Sequence, residues 1–137
     1  MDIKLIEKKS LDTNKVAEFV SCVLAMATIT HKQHLKITGI GSFAIHSALN
    51  DLYNDLPEHG DKIAELYQGY YGKLITSYPN MPEEKFLMMK PLEVVTWFLK
   101  YIEDYRSVFK DNTMLQNQVD ELCATVAKAK YKLTFLQ

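Results

Sequence analysis

Two histidines and two carboxylates, His34, His46, Asp61 and Glu65, follow one another at intervals of twelve, fifteen and four residues. Neutral imidazole and hard carboxylate are transition-metal ligand types. The residues around them carry helical periodicity, so the chemistry to expect is a metal site built into a helical bundle. The placement of the four side chains decides whether that site exists.

Helix geometry narrows the options. His46 and Asp61 would lie roughly 22 Å apart along one continuous helix at 1.5 Å per residue, whereas metal–ligand bonds are around 2 Å. Asp61 and Glu65, at i and i+4, can share an ion. His34 and His46 flank a short glycine turn and can also converge. The constellation therefore comes as two half-sites. A two-fold axis crossing the second helix would set the histidines of one copy against the acids of another, giving two equivalent sites per dimer. A hairpin at Pro57 would instead fold the acids back onto the histidines of the same chain.

The elements that must position these residues can be read from apolar spacing. Val16, Phe19, Val20, Val23, Leu24 and Ala27 follow the i, i+3, i+4, i+7 rule behind a cap at Asp12 or Thr13. His34 returns to the same face as Val16, and His31 lies on its edge. Gly39-Ile40-Gly41 breaks the pattern, and Ser42 can cap a second helix carrying Phe43, Ile45, His46, Leu49, Leu52, Tyr53 and Leu56. Pro57 tends to kink or end a helix, yet the pattern resumes through Ile63, Ala64, Leu66, Tyr67 and Tyr70 to Gly72. We read one long kinked helix; the alternative is two helices divided near Asn54 to Pro57.

Residues 72–90 form a long connection with a short helix starting at Pro82-Glu83-Glu84. Pro91 opens the third long helix, with Leu92, Val95, Leu99 and Ile102 on one stripe and Val94, Phe98, Tyr101 and Tyr105 beside it. Thr113 and Gln116 form a capping box for the last helix. There Leu115, Val119, Leu122, Val126, Ala129, Leu133 and Leu136 make the seam of a bundle. The prediction is an all-α four-helix bundle, with a short extra helix between helices two and three.

Composition agrees and excludes other classes. The 137 residues make one domain, 1–137, and 5 glycines and 4 prolines are few for an all-β fold. A net charge of −1 provides no global field for nucleic acid or anionic membrane. The apolar run from Val16 to Ile29 is too short to span a bilayer. Met1-Asp2-Ile3-Lys4 lacks the apolar core of a signal peptide. Cys22 and Cys123 fit no C-x-x-C pattern, so we expect buried free thiols in a reducing cytoplasm.

The run His34-Leu35-Lys36-Ile37-Thr38-Gly39, then Phe43, His46 and Asp61-Lys62-Ile63-Ala64-Glu65, resembles the Dps family, the miniferritins of the ferritin-like superfamily. That family has a histidine, a glycine five residues on, a second histidine twelve on, and D-x-x-x-E fifteen beyond. Positions 34, 39, 46, 61 and 65 match every interval, and the likeness covers roughly residues 12 to 136. It implies a ferritin-like bundle in which His34 and His46 of one subunit bind iron with Asp61 and Glu65 from another, Glu65 bridging. Peroxide or dioxygen would oxidise ferrous iron there, and ferric mineral would collect in a dodecameric homo-oligomer. Iron suits the mixed donor set; zinc or manganese fits it too.

The chain departs from that family at three places. Asn50 stands where an acid is usual, Leu35 replaces an aromatic residue, and Pro57 interrupts a regular helix. These motivate a second reading: a non-catalytic ferritin-like assembly with a degenerate metal site, binding a partner or small ligand. His31 and His59 have no family counterpart and read as surface or edge residues. Tyr67, Tyr70, Tyr71 and Tyr78 read as packing, and Met81, Met88 and Met89 as gap-fillers. Lys4, Lys8 and Lys9 are balanced by Asp2 and Glu7. Lys128, Lys130 and Lys132 read as a solvated helix end, so we expect weak or no nucleic-acid binding.

Overall fold

The computed structural model describes residues 11–136, and every regular element among them is helical. Met1 to Lys4, Glu7, Lys8 and Lys9, on which expectations were placed above, lie outside those residues. The helices are α1 (Thr13–Lys36), α2 (Ser42–Tyr71), the one-turn α3 (Glu84–Leu87), α4 (Pro91–Tyr105) and α5 (Thr113–Phe135). A 3-10 turn, Arg106–Phe109, follows α4 directly.

Local chemistry sets the boundaries, with two corrections to the expected caps. Asp12 caps α1, its carboxylate accepting from the Asn14 and Lys15 amides at 3.0 and 3.3 Å. The first residue of α2 is Ser42, and the cap is Gly41 at φ 79°, without a side-chain bond. A left-handed backbone excludes the serine's usual capping role here and favours glycine. At α5 the cap is Asn112, whose side-chain oxygen accepts from the Leu115 amide at 3.0 Å, so the expected Thr113–Gln116 box is not formed. Pro91 opens α4, where its missing N–H removes no intrahelical bond.

Cross-helix bonds give the chain direction. Thr13 at the start of α1 meets Tyr67 near the end of α2 at 2.6 Å, and His34 meets His46, so these helices are antiparallel. Asn112 donates to the Tyr71 hydroxyl at 3.2 Å while Lys132 pairs with Asp51 at 3.0 Å, which sets α5 antiparallel to α2. Arg106 pairs with Asp120, and the Cys123 thiol donates to Glu103, so α5 also runs against α4. Tyr105 near the end of α4 donates to Glu18 near the start of α1. The four long helices thus close a ring, α1–α2–α5–α4, with every neighbour antiparallel, so that along the chain they run up–down–down–up. The connection 72–90 must travel the full bundle length to return the chain.

Burial fixes that return path. Phe86 of α3 is fully buried and meets Trp97 edge to face, ring centres 4.7 Å apart. Gln33 of α1 donates to the carbonyls of Phe86 and Met89 at 3.3 and 3.0 Å. The core under it holds Phe19, Met26, Ile29, Phe98, Ile102 and Phe109, with the whole expected α5 seam except Leu136, which is exposed at the helix end. Phe43 and Tyr70 of the expected α2 stripe are exposed as well. Both free cysteines are thiols. Cys22 is buried and burial pushes it up to about 12, whereas Cys123 is only half-buried, contrary to expectation. No described helix is long and apolar enough to cross a membrane.

Two stability predictions follow from this packing. Gly69 lies inside α2 with open space where a Cβ would stand. Gly69→Ala should therefore stabilise the fold by about 0.5–1 kcal/mol through helix propensity, read as a higher denaturant midpoint. His59 sits half-buried between α2 and α5, its Nε2 2.9 Å from Thr125 Oγ1. Burial lowers its imidazole below 6.5, with Lys62 acting the same way and Asp55, Glu121 and Glu58 opposing. The folded state therefore prefers neutral His59. Its contribution is complete above 6.5 and falls away as pH drops through that value. Unfolding midpoints at pH 7.5 and 5 should differ, and His59→Gln should shrink the difference.

Candidate metal centre

His34 and His46 meet at the end of the α1–α2 hairpin. The two-glycine turn, with Gly39 and Gly41 at φ 96° and 79°, folds α2 back so closely that the imidazoles stack with centres 3.7 Å apart, tilted by 28°. Nδ1 of His46 lies 3.1 Å from the backbone carbonyl of His34. A carbonyl can only accept, so this nitrogen carries the proton and Nε2 keeps its lone pair outward. A metal-binding imidazole is commonly tethered in just this way.

His34 is buried, and its Nδ1 has no hydrogen-bond partner. Burial lowers its basicity below the ordinary 6.5, and the neighbouring His46 and His31 rings lower it further. That shift favours the neutral imidazole, the form that binds metal. Imidazole lone pairs lie in the ring plane, so two stacked rings aim theirs side by side. Both rings reach one ion only if the exposed His46 swings.

The acids stand elsewhere. α2 is continuous from Ser42 to Tyr71 with Pro57 inside it, which removes the hairpin alternative. Asp61 and Glu65 are exposed, far along the helix from His46, and neither makes an ion pair among the described residues. No three His, Cys, Asp or Glu side chains among the described residues come together closely enough to hold a metal ion. One chain thus brings together the two histidines and, separately, the two acids.

The two halves nevertheless share one face. His46, Asn50, Asn54, Pro57, Asp61 and Glu65 succeed one another in steps of four and three, a single stripe of α2 that is exposed or half-buried throughout. Leu35 and Phe43 beside it are 70% and 82% exposed, and Leu24 of α1 is 38% exposed. Large apolar side chains left in water beside a polar stripe mark a surface suited to association.

Two residues read as peripheral or as packing belong to the cluster. His31 lies flat on Tyr53, ring centres 3.9 Å apart at 4°, and Tyr53 is 5.1 Å from the His34 ring. The Tyr53 hydroxyl donates to Asn50 Oδ1 at 3.1 Å. Sequence spacing contained the signal: His31 precedes His34 by one turn, and Tyr53 follows His46 by two.

Asp61→Ala should leave the fold unchanged within about 0.5 kcal/mol, since the side chain is exposed and unpaired. Equal thermal midpoints for variant and parent would confirm that the acid has no structural duty within its own chain.

The chain is similar to the uncharacterized 14.6 kDa protein in the mobD-ri intergenic region of Enterobacteria phage T4. The two are 25% identical over 122 residues, covering 88% of this chain and 89% of the phage protein. No solved structure matches. A family model matches residues 34–133, a stretch that contains all four candidate ligands. The chain belongs to DUF5856, a family of unknown function.

Proposed function

We propose that this protein is a Dps-like, ferritin-like iron-handling protein. It oxidises ferrous iron with peroxide or dioxygen at a site shared between two copies, and holds the ferric product in a homo-oligomeric shell. One observation carries the reading: the His34 and His46 imidazoles stand with ring centres 3.7 Å apart at the end of the α1–α2 hairpin. The up–down–down–up order with one long crossover supports the ferritin-like assignment. The α2 stripe supports the sharing, because a two-fold axis near Asn54 would lay His46 of one copy over Asp61 and Glu65 of the other.

In this mechanism the histidines supply neutral nitrogen donors and the acids supply negative charge that favours the ferric product. The flanking Leu35 and Phe43 would exclude water on association. A second reading, a ferritin-like scaffold without oxidation, draws on Asn50, whose Oδ1 is engaged by Tyr53.

Anaerobic titration of the metal-free protein with ferrous iron, followed by peroxide, tests the reading. Saturable binding and oxidation faster than in protein-free buffer are expected. His46→Ala should reduce the rate at least tenfold and leave the thermal midpoint near that of the parent. Parental rates in His46→Ala, or no rate above buffer in the parent, would refute it.

A further inference from the structure

Away from the histidines, α1 and α4 part where residues 79–82 cross them, leaving a mostly apolar cavity of about 270 Å³. One wall is a ladder of rings on α4, Trp97, Tyr101 and Tyr105. Their centres are 5.2 and 4.4 Å apart and their planes lie within 24° and 21° of each other. Rings stacked along a helix turn their edges sideways, and the edge of an aromatic ring carries its positive charge. The opposite wall is Pro79-Asn80-Met81-Pro82. Its two prolines supply no backbone donor, and residues 76–82 make no hydrogen bond to other described residues. Packing alone holds this strap in place, so it can part to admit a ligand.

The space exists because α1 presents only Glu18, Ser21 and Cys22 to it, and none of them fills it. Glu18 is the one charged side chain in the lining. Burial raises Cys22, Tyr101 and Tyr105 above their ordinary values and keeps all three neutral. The Glu18 carboxylate accepts from the Tyr105 hydroxyl at the end of the ladder. Lys15 reaches it only at 3.7 Å, with both side chains largely in water, and such a pair contributes little. A cation inside the cavity would therefore meet an anion that is positioned but not neutralised.

Small-molecule sites join an apolar wall to a few convergent polar groups, and drug-sized ones enclose roughly 300–1,000 Å³. This cavity lies just below that range, so its occupant is one ring with a short arm. The ring edges of the ladder favour the negative face of a second aromatic ring, and Glu18 favours a positive group at its end. We propose that the α1–α4 cavity binds a small arylalkylamine as its ammonium ion, with the ring against Trp97, Tyr101 and Tyr105 and the ammonium on Glu18. The site is independent of the iron-oxidising reading.

Trp97 is the only tryptophan in the chain and lines the cavity, so its emission reports on the site directly. The test titrates the full-length protein with 2-phenylethylammonium, and separately with 3-phenylpropanoate, which carries the same ring and the opposite charge. A saturable change in Trp97 emission is expected with the ammonium and none with the carboxylate. Glu18→Gln keeps an acceptor for Tyr105 and should weaken ammonium binding about fivefold or more. Ser21→Phe fills the cavity and should abolish binding, with thermal midpoints showing that both variants fold. No saturable response in the parent would overturn the proposal, as would equal binding of the carboxylate. An unchanged dissociation constant in Glu18→Gln, or in folded Ser21→Phe, would also overturn it. If Ser21→Phe does not fold, Glu18→Gln and the charge-reversed ligand decide.

Discussion

Pro57 removes a backbone donor from the middle of α2, and the helix runs on regardless, so the rest of the molecule is arranged around an unbroken thirty-residue rod. A proline inside a helix costs about 3 kcal/mol. Against that stands what both halves of the rod bury: Leu49, Leu52 and Leu56 before the proline, Ile63 and Tyr67 after it. Each large apolar side chain contributes roughly 1.5–3 kcal/mol when taken from water. Either half alone matches the penalty. Pro57 itself faces solvent, and one turn later Gly60 lets α2 come within 2.9 Å, measured to a would-be Cβ, of the Leu24 side chain of α1.

That continuity separates the histidine end of α2 from its acidic end. It also puts both ends on one stripe, together with Asn50 and Asn54. On the proposed reading the histidines and the acids are complementary half-sites, and one rod cannot complete either of them alone. Two such rods crossed by a two-fold axis complete both at once, and this is why the proposed chemistry and the proposed association are one claim. Fold does not assign function; the order of the four long helices only makes the proposed arrangement accessible, and the paired imidazoles give the proposal content.

Much of this was legible in the sequence, and the failures have physical causes. The α5 seam was readable because four-and-three spacing reports burial directly, and only Leu136, past the last turn, escaped it. The spacing of His34, His46, Asp61 and Glu65 predicted that the histidines would converge and that the acids would stand apart from them, and within the chain they do. The caps at Ser42 and Thr113 were misread because capping preference competes with the backbone angle of a neighbouring glycine or with a better-placed asparagine. Phe43 was placed on the buried stripe because apolar spacing by itself does not report exposure, and the side chain is 82% exposed. The passage of α2 through Pro57 was not decidable locally, since the proline penalty is local and the burial that offsets it is tertiary. His31 and Tyr53 were missed because they matter through each other, across two helices.

The most direct measurement of the shared site is complementation between two inactive variants. One variant carries His34→Ala and His46→Ala, the other Asp61→Ala and Glu65→Ala; the two are unfolded together, refolded as a mixture, and assayed for peroxide-driven ferrous oxidation. A heterodimer would contain one site with all four ligands and one with none. Random pairing should therefore restore about a quarter of the parental sites, from two proteins that are each inactive alone. Activity in the mixture no greater than the sum of the separate variants, with dimers demonstrably mixed, would contradict a site built across two copies.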